Sequence, residues 1–130
     1  MTCAALFMMD DPMTDFVENF FAAWGEPDAD TRADALRNAL AASFSYQDPR
    51  MPEPTSDPEE LIGYVAMYTQ AMPGATAQAV HQSRTGACTR ASVEFAMPDG
   101  NKQLGQYFIE HDAAGKLTRL IGFAGMGTSA

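Results

Sequence analysis

The chain has 130 residues, 46% of them hydrophobic and 19% charged, which is the length of one domain and enough apolar content to bury a core, so wholesale disorder is excluded. Eight Lys+Arg against 17 Asp+Glu leave a net charge of −9, and so acidic a chain repels both nucleic-acid phosphate and anionic lipid. The expected partner is a neutral or weakly polar small molecule, or a second copy of the same chain (a homodimer), with no nucleic acid and no membrane.

Near the N-terminus, Cys3–Met9 is apolar but lacks a basic start and meets Asp10-Asp11 at once, which is not the pattern of a secretory signal. No apolar run approaches the ~20 residues of a membrane helix, so a cytoplasmic protein is expected. Cys3 and Cys88 match no disulfide framework or metal-ligand spacing and read as reduced. Residues 1–12 read as an N-terminal arm, 13–126 as a single domain and 127–130 as a tail.

Asp11-Pro12 reads as a helix cap followed by proline at the first helical position. Met13, Phe16, Val17, Phe20, Phe21 and Trp24 then recur at helical spacing. Gly25-Glu26-Pro27-Asp28 ends that helix. A second helix is expected from about Asp30, with Ala33, Leu36, Leu40 and Phe44 on its buried stripe. The stretch from Ser45 to Asp57 holds Pro49, Pro52 and Pro54 and reads as an irregular loop. Asp57-Pro58-Glu59-Glu60 opens a third helix with a cap, a first-position proline and an acidic third position. Leu61, Tyr64, Val65, Tyr68 and Met72 follow on one face, and Pro73-Gly74 stops it.

From Ala75 the period changes to that of strands, over 75–83, 87–97, 103–112 and 117–126. Thr85-Gly86, Met97-Pro98-Asp99-Gly100-Asn101 and Ala113-Ala114-Gly115 separate them as turns, so neighbouring strands are antiparallel. Helices before strands predict an α+β fold, three helices packed on a curved, mainly antiparallel sheet. The wide end of such a cone is a natural ligand pocket.

Tyr46-Gln47-Asp48-Pro49 sits where the chain turns toward the sheet. Asp48 is either a turn cap or a carboxylate desolvated enough to act as a general base. His81 is either a second acid/base or a histidine on the sheet surface. His81 and His111 do not form a ligand pair, so no metal is expected. Tyr64 and Tyr68 pack in the core or bring a hydroxyl to the pocket. Trp24 supplies an aromatic wall, and Met97 a pliable one.

The order and spacing of these segments across almost the whole chain resemble the nuclear-transport-factor-two-like superfamily of cone-shaped α+β barrels. Within it they are most similar to the SnoaL-like polyketide cyclases and the ketosteroid isomerases. The matching pieces are the helix end from Phe20 to Asp28, Tyr46-Gln47-Asp48-Pro49, Asp57-Pro58-Glu59-Glu60-Leu61-Ile62, and Gly105-Gln106-Tyr107-Phe108-Ile109-Glu110-His111-Asp112-Ala113-Ala114-Gly115-Lys116-Leu117 with Gly122-Phe123. The resemblance implies cofactor-free proton transfer beside a carbonyl of an apolar, ring-containing guest, by isomerisation, cyclisation or dehydration. Asp48 falls on the isomerases' base. Tyr107 falls where they hold a protonated acid in the oxyanion hole, and can donate a hydrogen bond there. His81 would assist proton return. Phe20 falls where they have a donor tyrosine and brings no hydroxyl. With Trp24, Tyr46, Tyr64, Tyr68 and Met97 it would contact the substrate. The alternative is a non-catalytic ligand-binding or dimerisation module of the same fold.

Overall fold

A computed structural model describes residues 15–124. The arm at 1–12, the Asp11-Pro12 cap, Met13, the end of the fourth expected strand and the tail at 127–130 lie outside the described residues.

Among the described residues, three capped helices precede most of the sheet. Helix α1 (Phe16–Ala22) starts at Asp15, whose Oδ1 accepts the Glu18 amide at 3.0 Å, and a short 3-10 turn (Ala23–Gly25) continues it. Helix α2 (Ala29–Ala39) is capped by Asp28 through the Thr31 amide at 2.9 Å. Buried Arg32 fastens the α1–α2 corner, its Nε donating to the Glu26 carbonyl at 3.0 Å. Helix α3 (Pro58–Ala71) has the expected cap, Asp57, and Pro58 in its first turn. Such caps satisfy amides that would otherwise be orphaned. None of the described helices is long and apolar enough to cross a membrane.

Five strands form one sheet: β1 (Leu40–Gln47), β2 (Thr76–Thr85), β3 (Cys88–Ala96), β4 (Lys102–His111) and β5 (Leu117–Ala124). Their order is β1-β5-β4-β3-β2, with β1 parallel to β5 and the remaining pairs antiparallel. The four late strands lie close to the expected positions.

The second helix is a correction. It stops at Ala39, and Leu40 and Phe44 belong to β1 instead. Leu36, Leu40 and Phe44 fit a helical stripe, but Phe44, Tyr46 and Asp48 also alternate and are buried. Pairing with β5 satisfies the backbone of this segment along the sheet, and that tertiary gain overrides a local helical pattern.

The core lies between helices and sheet. Its fully buried members include Phe20, Phe21, Leu36, Leu61, Val65, Val93, Ile109, Leu117 and Leu120. Aromatic contacts join the layers, with the Phe21 and Tyr107 rings 4.8 Å apart and Trp24 and Tyr68 5.2 Å apart.

Candidate active site

The strand period of β1 turns Phe44, Tyr46 and Asp48 toward the interior. The proline-rich segment then folds back on β1. Tyr46 and Thr55 exchange both backbone hydrogen bonds, at 2.9 and 2.8 Å, and the Asp48 carbonyl accepts the Met51 amide at 3.0 Å. Asp48 therefore sits on a pinned backbone although it lies past the end of the strand.

Asp48, a residue only 8% exposed, collects three donors on its carboxylate. The Tyr46 hydroxyl lies 2.8 Å and the Tyr64 hydroxyl 2.6 Å from Oδ2, and the Arg50 amide lies 3.0 Å from Oδ1. Tyr46 and Tyr107 also bring their hydroxyls to 2.8 Å from each other. Burial first, then the charges of Tyr107 and Asp48, push the Tyr46 phenol well above its usual titration range. Burial likewise raises Tyr107, Tyr64 and Tyr68. All four are neutral at ordinary pH, and Tyr46, Tyr64 and Tyr107 serve as hydrogen-bond donors. The chain has four tyrosines, and all of them are gathered here.

A cavity of about 140 Å³ opens beside Asp48 and Tyr107. Trp24, Tyr68, Phe95, Met97 and Phe123 supply its apolar walls, and Pro49, Arg50 and Gln103 also border it. That volume suits one small ring, since an engineered apolar cavity of about 150 Å³ holds benzene. Two donors of its lining residues have no partner among the described residues: Trp24 Nε1 and the Tyr68 hydroxyl, both buried. Each such orphan costs about 1–3 kcal/mol.

Gly122 makes the arrangement possible. It pairs with Tyr107 across β4 and β5. A Cβ there would lie 2.9 Å from the Tyr107 ring and 3.1 Å from Asp48 Cβ. Only a hydrogen leaves room for both side chains. A glycine inside a strand pattern marks this kind of close approach, and this was the available signal for a residue that sequence reasoning passed over.

The other expected site residues are distributed unevenly. Trp24, Tyr68, Met97, Asp48 and Tyr107 all line the cavity. Tyr46 is fully buried behind it. Tyr64 reaches Asp48 from a neighbouring groove that it shares with Met51, Pro54 and Met67. Phe20 is fully buried with its ring 5.9 Å from that of Tyr46, off the cavity wall. His81 is not brought to the site. It is exposed on β2, opposite Ser92, where a bulge after Ala79 shifts the register. His111 is half-buried elsewhere, 2.7 Å from Thr89 Oγ1, and burial lowers its basicity. Among the described residues no three His, Cys, Asp or Glu side chains converge to hold a metal ion.

No family model matches the sequence, and no curated protein matches it. Solved structures do match the fold. A proposed isomerase of the SnoaL-like family from Agrobacterium tumefaciens is 23% identical with a TM-score of 0.76, covering 85% of this chain and 95% of that one. A protein of ketosteroid isomerase-like fold from Catenulispora acidiphila, solved with trimethylamine, is 17% identical with a TM-score of 0.68, covering 86% of each chain. A proposed polyketide cyclase from Sinorhizobium meliloti is 15% identical with a TM-score of 0.66, covering 84% of this chain and 94% of that one. The helices, the strand order with its parallel β1–β5 edge, and these likenesses together give the chain the cone-shaped α+β fold of the nuclear-transport-factor-two-like superfamily.

Proposed function

We propose that the protein is a cofactor-free enzyme that moves a proton beside the carbonyl of a small, single-ring guest. The observation that carries this reading is a buried carboxylate on the wall of a small, largely apolar cavity. Oδ2 of Asp48 has both lone pairs occupied by phenols, whereas Oδ1 accepts a single amide. The free lone pair of Oδ1 is the proton acceptor. Tyr107 holds the guest's oxygen as negative charge develops on it, the interaction that usually contributes most in such reactions. Apolar walls keep water from competing. The solved proteins of this fold described as isomerases and as a cyclase support proton chemistry of this class, and the structure with trimethylamine supports a small guest. Val80, Leu104 and Phe123 are exposed apolar side chains of the sheet, a surface suited to the packing of a second copy.

The test works without the natural substrate. Single-ring ketones are incubated with the protein in D2O, and loss of the proton signal beside the carbonyl is followed by NMR. The expected result is exchange above the buffer rate that Asp48→Asn abolishes. Exchange that survives Asp48→Asn removes Asp48 from the chemistry. A ring compound that binds beside Asp48 without any exchange would favour a non-catalytic binding module instead.

A further inference from the structure

With a carboxylate at Asp48, the hydrogens of the cluster can be counted. Asp48 only accepts, and each phenol has one hydrogen to give. The Tyr46 and Tyr64 hydroxyls, 2.8 and 2.6 Å from Oδ2, must therefore both donate to it. Tyr46 has then spent its hydrogen, so its 2.8 Å contact with Tyr107 requires Tyr107 to donate. All three phenol hydrogens are consumed inside the network. Toward the cavity Tyr107 presents only oxygen lone pairs, although an enolate oxygen needs a donor.

We infer that Tyr46 is a positioning residue that couples the charge of Asp48 to the hydrogen of Tyr107; this rests on the proton-transfer reading above. Asp48 and Tyr107 both line the cavity, while Tyr46 between them is fully buried and touches no guest. When Oδ1 takes the proton from the guest's carbon, the C–H electron pair moves onto the guest's oxygen. Negative charge leaves the carboxylate and appears on that oxygen. Oδ2 then holds the Tyr46 hydrogen less strongly. The Tyr46 hydroxyl turns to donate to Tyr107, and the Tyr107 hydroxyl turns to donate to the guest. Tyr64 stays on Oδ2. The only bond to hydrogen that breaks is the guest's C–H, and its proton ends on Oδ1. Two hydroxyl rotations follow the charge across the site, and return of the proton reverses them.

The test is a double-mutant cycle with para-nitrophenolate, a single-ring oxyanion whose absorption reports its own binding. Affinity is measured, at a pH where the probe is fully ionised, for the wild type, Asp48→Asn, Tyr46→Phe and the double variant. Both substitutions preserve shape, and circular dichroism confirms the fold of each. Asp48→Asn relieves charge repulsion in either background, but only with Tyr46 present does it also release the Tyr107 hydrogen. The gain from Asp48→Asn should therefore be about tenfold larger with Tyr46 than in the Tyr46→Phe background, a coupling of the size that contacting residues show. A purely structural Tyr46 gives the same gain in both backgrounds, and that result overturns the coupling while leaving the deuterium-exchange reading intact. Absence of binding in all four proteins overturns the cavity's assignment to a ring-shaped oxyanion, and the coupling with it.

Discussion

Two polar groupings beside the cavity are opposites in their hydrogen bonding. Around Asp48, Tyr46, Tyr64 and Tyr107 leave no hydroxyl hydrogen unused. By contrast, Trp24 Nε1 and the Tyr68 hydroxyl, both buried, have no acceptor among the described residues. A satisfied buried network holds its members in one geometry. An unsatisfied donor costs stability wherever it is buried. The first grouping is built into the fold, and the second leaves two buried donors unmatched.

The largest effect that would break this contrast comes from beneath the network. Gly122→Ala forces its methyl group against Tyr107 and Asp48 and should cost about 3 kcal/mol, at the upper end for overpacking, read as a fall in denaturant midpoint. A neutral result would mean that these side chains are free to part. Next come two substitutions that each remove one hydroxyl. Tyr46→Phe leaves Asp48 and Tyr107 each short of a partner and should destabilise by about 2 kcal/mol. Tyr68→Phe removes an orphan and should be neutral or stabilising by about 1 kcal/mol. Equal effects in chemical denaturation would erase the distinction between the groupings.

A pH titration sharpens the comparison further. Since all four tyrosines have raised values in the folded chain, the unfolded chain loses phenol protons first, near pH ~10. Stability therefore falls as pH rises through that value, and the tyrosinate band should appear only together with unfolding. Tyrosinate formed in the native protein well below that transition would contradict the buried network. The smallest effect lies at the other end of the cone. Burial lowers His111, so its contribution to stability is present above the ordinary histidine value of ~6.5 and is lost as pH falls below it. His111→Gln should flatten that acid-side loss slightly in thermal melts.

Much of the fold is legible in the sequence because its signals are local. The Asp57-Pro58 cap and the Gly86, Gly100 and Gly115 turns, all at positive φ, identify themselves. Strand β1 is not legible in this way, because Leu40 and Phe44 satisfy a helical period equally well and only the parallel pairing with β5 decides. The site divides along the same line. Asp48, Tyr107 and Trp24 reach the cavity from positions that the resemblance marks. The role of Tyr46 depends on a hydroxyl contact across 61 positions, which no local pattern encodes. His81 is exposed on a strand whose bulge sets its register, which is the surface position the sequence offered as one of its two readings.

The most direct measurement is a crystal structure of the protein soaked with para-nitrophenol. The ring should lie in the cavity against Trp24 and Phe95, with its oxygen within hydrogen-bonding distance of the Tyr107 hydroxyl and Asp48 on the same wall. A cavity closed over by its own side chains, or a ring bound elsewhere with Asp48 untouched, would contradict the account.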